Sequence, residues 1–388
     1  MDRRKQRILS FIEAQVEDQL RFVIDLCNQN SYTYNKEGLD RVAGLILEAL
    51  EGLFPEHRII QQEDVGNHHI LRNTNDSGAI CLLGHMDTVF PPDHPFQECT
   101  RDGDRLKGPG TGDMKGGISV FVYALKALNE VGALSGLPIV FILNSDEEIG
   151  SPTSRSMYVE ERKKAAACLV AECAGPHGEV VVSRNGKIGA RIDCWGQDRH
   201  VGMGTHKKAS ALLELAQKVV AVESLNDCLS GVSINVGRIE GGLGPCTIPA
   251  HAHCLVDVRW VEEGHRDVIV RHIEDEIARP YQPGCTSEFT ILNARPAMPV
   301  SQGTETLLGM IQEIGRRLDQ TIQPTHRRGT SDANFFGAMG VPTIDGWGPV
   351  CQKDHTPEES IIISSLFQRT ALLSLFLLEY GRTQGMIL

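Results

Sequence analysis

Apolar runs along this chain repeatedly break off at a residue type that holds metal ions. Residues 79–83 are followed by Gly84, His85, Met86 and Asp87, and residues 137–143 by Asn144, Ser145, Asp146, Glu147 and Glu148. Residues 165–171 deliver Glu172, and the loop after the shorter run 341–344 carries His355. Short apolar runs bounded in this way read as buried strands. In an open α/β sheet, ligands bind outside the carboxyl ends of the strands. The pattern therefore predicts an α/β sheet that gathers imidazoles and carboxylates along one edge, the layout that a two-zinc hydrolase needs.

Each segment also has a plainer reading. His85 offers a good zinc ligand, and Asp87 is placed to accept its other ring N–H and fix the tautomer; a histidine at a strand end can equally just hydrogen-bond a loop. The run Gly108-Pro109-Gly110-Thr111-Gly112-Asp113-Met114-Lys115-Gly116-Gly117 opens onto Ile118, Phe121, Val122, Leu125 and Leu128, which have helical spacing. Glycines let the backbone approach a bound ion closely, so Asp113 could reach between two metals with both oxygens. A phosphate-binding loop is disfavoured, because Lys115 is followed by Gly116 and not by Ser or Thr. Adjacent strand residues point to opposite sides, so Glu148 could ligate a metal while Glu147 faces substrate as general base. The alternative for these acids is a solvated turn.

Together these segments resemble the zinc aminoacylase/carboxypeptidase family, which includes acetylornithine deacetylase, succinyl-diaminopimelate desuccinylase and the bacterial glutamate carboxypeptidase. The resemblance spans about residues 79–360. It implies that His85, Asp113 and Glu172 hold one zinc and that Asp113, Glu148 and His355 hold the other, with Asp113 bridging. Asp87 would orient His85, and Glu147 would shuttle the proton. The implied fold is α/β: a zinc-exopeptidase-like catalytic domain with a mixed, mostly parallel sheet between helices, plus an inserted α+β lid or dimerisation domain. The expected boundaries are 1–184 and 295–388 for the catalytic domain and 185–294 for the lid.

The residue patterns within 185–294 suit such an insertion. Strand-like stretches at 190–195, 233–239, 252–260 and 287–292 alternate with helical patterns at 209–222 and 268–277. By resemblance, His200 reaches the active site of a partner subunit and stabilises the oxyanion, while Arg259 and Arg295 grip a substrate carboxylate. Guanidinium groups bind carboxylates bidentately, although either arginine could instead sit in a surface or domain-interface ion pair. The chain departs from the family pattern at Asp198-Arg199 before His200, at Lys208-Ala209-Ser210-Ala211 after it, and at Cys246, where an asparagine is usual. Cys351, Gln352 and Lys353 replace glycines near His355.

Composition limits the alternatives. A net charge of −12 argues against nucleic acid as a partner. No apolar run approaches the length of about 18 residues that reads as a membrane span. Eleven cysteines, an odd number without CxxC spacing, suggest reduced thiols in a cytoplasm. Residues 8–26 read as an amphipathic opening helix, not a signal peptide, because Glu13, Glu17, Asp18 and Arg21 interrupt them. Residues 360–378 read as a closing helix. The expected protein is a cytoplasmic homodimer, joined through the lid, with two Zn2+ per chain (Co2+ or Mn2+ also suit the donors) and a small peptide or N-acyl amino acid as substrate. A glutamate carboxypeptidase-like activity leads. An N-acyl-amino-acid deacylase, acetylornithine deacetylase-like, or a dipeptidase is the alternative, and a non-catalytic amino-acid-binding descendant is the remote one.

Overall fold

Strands Ala79–His85 and Ile139–Asn144 are buried at every position, with none of the in-out alternation of a half-exposed strand. Such strands belong in the middle of a sheet covered on both faces. The computed structural model describes residues 2–74, 77–203 and 208–385, and the chain divides into two units. The first unit joins the chain up to Ser183, Val300–Arg327 and the chain from Ser331 onward. Its six-stranded sheet has the order Glu56–Ile60, His68–Arg72, Ile139–Asn144, Ala79–His85, Ala165–Val170, Thr343–Ile344. The last four strands are parallel, and the first two extend the sheet antiparallel.

Register sets where the chemistry emerges. Leu83 lies opposite Ile142 on one side and Val170 on the other. Side chains two residues further on share a face, so His85, Asn144 and Glu172 leave the three strands at one level. Bonds from Met86 N–H to Asn144 O (2.8 Å) and from Ala171 N–H to Leu83 O (2.9 Å) carry the ladder to that edge.

Helix Lys115–Glu130 is buried along most of its length and packs against the last helix, Ile363–Thr383. Its first turn needs glycine, because a Cβ on Gly117 would stand 1.6 Å from the Ala171 carbonyl oxygen. Gly117→Ala is expected to cost about 3 kcal/mol through overpacking. A urea midpoint equal to that of the wild type would show that helix and strand do not meet so closely.

The N-terminal reading is corrected in one respect. Residues 8–26 belong to two helices, Arg3–Ala14 and Val16–Asn28, separated at Gln15, whose N–H turns back to the carbonyls of Phe11 and Ile12. No Pro or Gly marks this break, and each helix keeps its own buried stripe, Ile8 and Ile12 in one and Leu20, Val23 and Leu26 in the other. At the other end, Ser360–Ile362 is a strand against Arg105–Lys107, and the helix begins only at Ile363.

The second unit comprises Arg184–Pro299 and Arg328–Thr330. Its antiparallel sheet has the order Val232–Gly241, His251–Trp260, Gly186–Trp195, Thr286–Arg295. Strict alternation in Gly186–Trp195 sends Ile188, Ala190, Ile192 and Cys194 into a core shared with helices Ala211–Ser224 and Gly264–Ala278. Ser210 caps the first of these helices by accepting from Leu213 N–H, so the unusual sequence before it still provides an ordered helix entrance. Buried Lys218 donates to the carbonyls of Glu276 (2.6 Å) and Ile277 (3.0 Å), satisfying the end of the second helix. Among the described residues no helix is long and apolar enough to cross a membrane.

Candidate metal centre

Asp113 lies between two imidazoles. Its Oδ1 is 2.9 Å from His85 Nε2, and its Oδ2 is 2.9 Å from His355 Nε2. Glu172 Oε1 stands 3.8 Å from the same nitrogen of His85, and Glu148 Oε2 stands 3.3 Å from that of His355. Five of the predicted residues thus converge, His85 from the end of its strand, Glu148, Glu172 and His355 from loops, and Asp113 from the glycine-rich turn before helix Lys115–Glu130. The Asp113–Met114 peptide is cis.

Asp87 is fully buried, and its role is broader than the sequence suggested. The second ring nitrogen of His85 is 3.0 Å from the Asp87 backbone carbonyl and 3.4 Å from its carboxylate. That carboxylate also accepts the backbone N–H groups of Glu147 (3.2 Å) and Glu148 (3.1 Å) and the Thr33 hydroxyl (2.8 Å). It therefore fixes both the imidazole and the turn that presents the two glutamates. Glu147 itself is 9% exposed at the start of that turn.

The electrostatics follow from crowding acids in a buried space. Burial opposes the imidazolium of His85, but hydrogen bonds to Asp113 and Asp87 outweigh it and raise its pKa well above the ordinary value. Hydrogen bonds to Asp113 and Glu148 push His355 up to about 11. Burial pushes the Asp113 carboxyl up, yet the two imidazoles hold it well below the usual carboxylate range. Glu148 rises to about 8, chiefly from burial and then from the charge on Asp113. Such a site stabilises positive charge strongly. Two imidazoles and several carboxylates, with one carboxylate offering an oxygen to each side, are a donor set that fits a pair of zinc-class ions.

Thr33 and Glu359 had no signal in the sequence. Glu359 is buried and accepts from the backbone N–H groups of Gly110 (3.1 Å), Gly112 (2.8 Å) and Asp113 (3.1 Å), so it shapes the loop that carries the central aspartate. Burial, followed by repulsion from Asp113, raises its own pKa to about 7. Lys115 is buried as well, donating to the carbonyls of Leu26 (2.8 Å) and Gln29 (2.9 Å), which leaves no role for it as a phosphate ligand. Lys353 and His355 both have φ of 57°, the left-handed region that favours glycine. The loop thus keeps a glycine-like path at Lys353 without the glycine.

The remaining predicted residues lie in the second unit. His200 is exposed on the short strand Arg199–His200, which pairs with Thr247–Ile248 just beyond Cys246. Two of the departures from the family pattern, at Arg199 and Cys246, are therefore neighbours. Arg259 makes an ion pair with Asp257 (2.7 Å) and donates to the Arg328 carbonyl (3.0 Å). Arg295 is 6% exposed at the end of its strand.

A mostly parallel sheet whose strand ends converge on histidines and carboxylates defines a metal-dependent hydrolase of the peptidase and amidohydrolase type. The chain belongs to peptidase family M20/M25/M40, whose pattern matches residues 81–379. It is 26% identical over 309 residues to carboxypeptidase G2 of Pseudomonas sp. (strain RS-16), covering 78% of this chain and 74% of that one. It is also 26% identical over 376 residues to the succinyl-diaminopimelate desuccinylase of Colwellia psychrerythraea, covering 89% and 92%. The fold is similar to that of a dinuclear metal-binding peptidase of the M20 family from Bacillus subtilis, with a TM-score of 0.68 at 15% identity over 96% of this chain and 99% of the other.

Proposed function

We propose that the protein is a di-zinc carboxypeptidase that cleaves an amide or peptide bond next to an amino acid with a free carboxylate, in the manner of glutamate carboxypeptidases. The observation that carries this reading is the placement of Asp113, with one oxygen toward His85 and the other toward His355. His85, Asp113 and Glu172 would hold one ion, and Asp113, Glu148 and His355 the other. When bound, the pair polarises the scissile carbonyl and acidifies water. Glu147 accepts a proton from the attacking water and returns it to the leaving nitrogen. Asp87 keeps His85 and the glutamate turn in register for this transfer. His200 donates to the oxyanion, and Arg259 and Arg295 receive the substrate carboxylate. The unit around residues 185–294 acts as lid and dimer contact, and the enzyme works as a cytoplasmic homodimer.

A second reading, an N-acyl-amino-acid deacylase, is favoured by the desuccinylase similarity, which extends over more of both chains than the carboxypeptidase similarity does. Purified protein assayed for metal content and for amine release from N-acylglutamates, N-acetyl amino acids and dipeptides separates the two. Near two metal ions per chain, with release fastest where a C-terminal glutamate is freed, is the expected outcome. Chelation should abolish release and zinc should restore it. Preference for the acyl group regardless of the amino acid would favour the deacylase, and metal-free protein that stays inactive with zinc would exclude both.

A further inference from the structure

The second unit carries another group of metal-binding residue types, apart from the centre described above. His251 and His253 are two residues apart on strand His251–Trp260, alternating with core-facing Ala252 and Cys254. Both imidazoles therefore lie on the sheet face opposite the helices. Register across the four strands aligns Glu288, Asp193, His253 and Glu240 in a single row on that face. His251 Nε2 is 2.7 Å from Asp193 Oδ1, and His253 Nε2 is 3.5 Å from Glu240 Oε2. One donor atom from each of Asp193, His251 and His253 lies within 4.8 Å of the other two.

We propose that this face binds one divalent transition-metal ion of the zinc class through His251, His253, Asp193 and Glu240. Imidazole and carboxylate donors suit such an ion. They come from three hydrogen-bonded strands, so the backbone already holds their spacing. Zinc–nitrogen bonds of about 2.0–2.1 Å put tetrahedral donors roughly 3.4 Å apart. Side-chain rotation brings the donors toward that spacing, His251 being 43% and His253 18% exposed. A concavity of about 410 Å³, lined by Glu240, Gly242, Thr247, Pro249, His251 and His253, gives the ion a way in.

Two arginines compete for the carboxylates: Arg238 pairs with Glu240, and Arg191 holds Asp193 through two hydrogen bonds of 2.6 and 2.7 Å. A carboxylate has about four lone-pair sites and can serve two partners, but each guanidinium repels an incoming cation and weakens the site. Removing Arg191 should therefore strengthen binding, a response that unspecific binding to exposed histidines would not give.

Zinc titrated into metal-depleted full-length protein tests the proposal, with bound equivalents read by plasma mass spectrometry after dialysis. The wild type is expected to hold one equivalent more than the His251→Gln/His253→Gln variant. That difference does not depend on how many ions the first unit takes, so failure of the di-zinc reading would leave it intact. Equal equivalents in the two folded proteins would overturn the site. Arg191→Gln, which keeps both histidines, is expected to tighten the extra equivalent several-fold. It decides the matter alone if circular dichroism shows the histidine variant unfolded, and unchanged affinity in Arg191→Gln would overturn the four-residue site.

Discussion

Glu147→Gln is expected to lower kcat by about 10²–10⁴-fold, the usual contribution of a positioned general acid–base, while metal content stays at the wild-type level. The substitution preserves shape and removes only the ability to take a proton. The turn remains in place, because the Glu147 and Glu148 amides are held by the Asp87 carboxylate through backbone bonds that the new side chain does not touch. The metal should remain because the atoms that converge on the imidazoles come from Asp113, Glu148 and Glu172. Steady-state kinetics and plasma mass spectrometry on one preparation check both halves. Unchanged kcat would remove Glu147 as the base, and loss of metal would make it a ligand.

Asp113→Ala is expected to lose metal and activity together. Its two oxygens face two different histidines, so a single truncation strips a donor from both proposed ion positions. A metal ion contributes several kcal/mol of transition-state stabilisation. At about 1.4 kcal/mol per factor of ten, the rate should fall by 10³-fold or more. The folded state should not gain from the change, since a buried charge cluster that loses one member leaves its partners uncompensated. Retention of both ions in Asp113→Ala would show that His85 and His355 ligate without a shared carboxylate, and the bridging arrangement would be wrong.

Much of this centre's layout was legible because of how the buried strands end. Ala79–His85, Ile139–Asn144 and Ala165–Val170 are long apolar runs with abrupt polar stops, so their carboxyl ends can be located to within a residue or two. The alternating strands of the second unit were visible for a similar reason, with a period of two over ten residues. Glu359 was not legible, because an acid that turns inward to collect backbone N–H groups looks in sequence like any surface glutamate. The break at Gln15 was hidden since no Pro or Gly marks it in the sequence. Strands of two residues, such as Arg199–His200 and Thr247–Ile248, are too short to show any period. How His200 and the two arginines serve a substrate depends on tertiary placement that no local pattern encodes.

The fully buried Asp87 ties together groups that are otherwise separate in the chain. Its backbone carbonyl meets the ring of His85, and its carboxylate holds the amides of Glu147 and Glu148. A proposed ion ligand and the proposed base therefore share one pin. A substitution there cannot adjust one without disturbing the other. His355, by contrast, reaches the same centre from an exposed loop, through Asp113 and Glu148. The centre thus has a buried floor, where one residue sets two others, and an exposed rim.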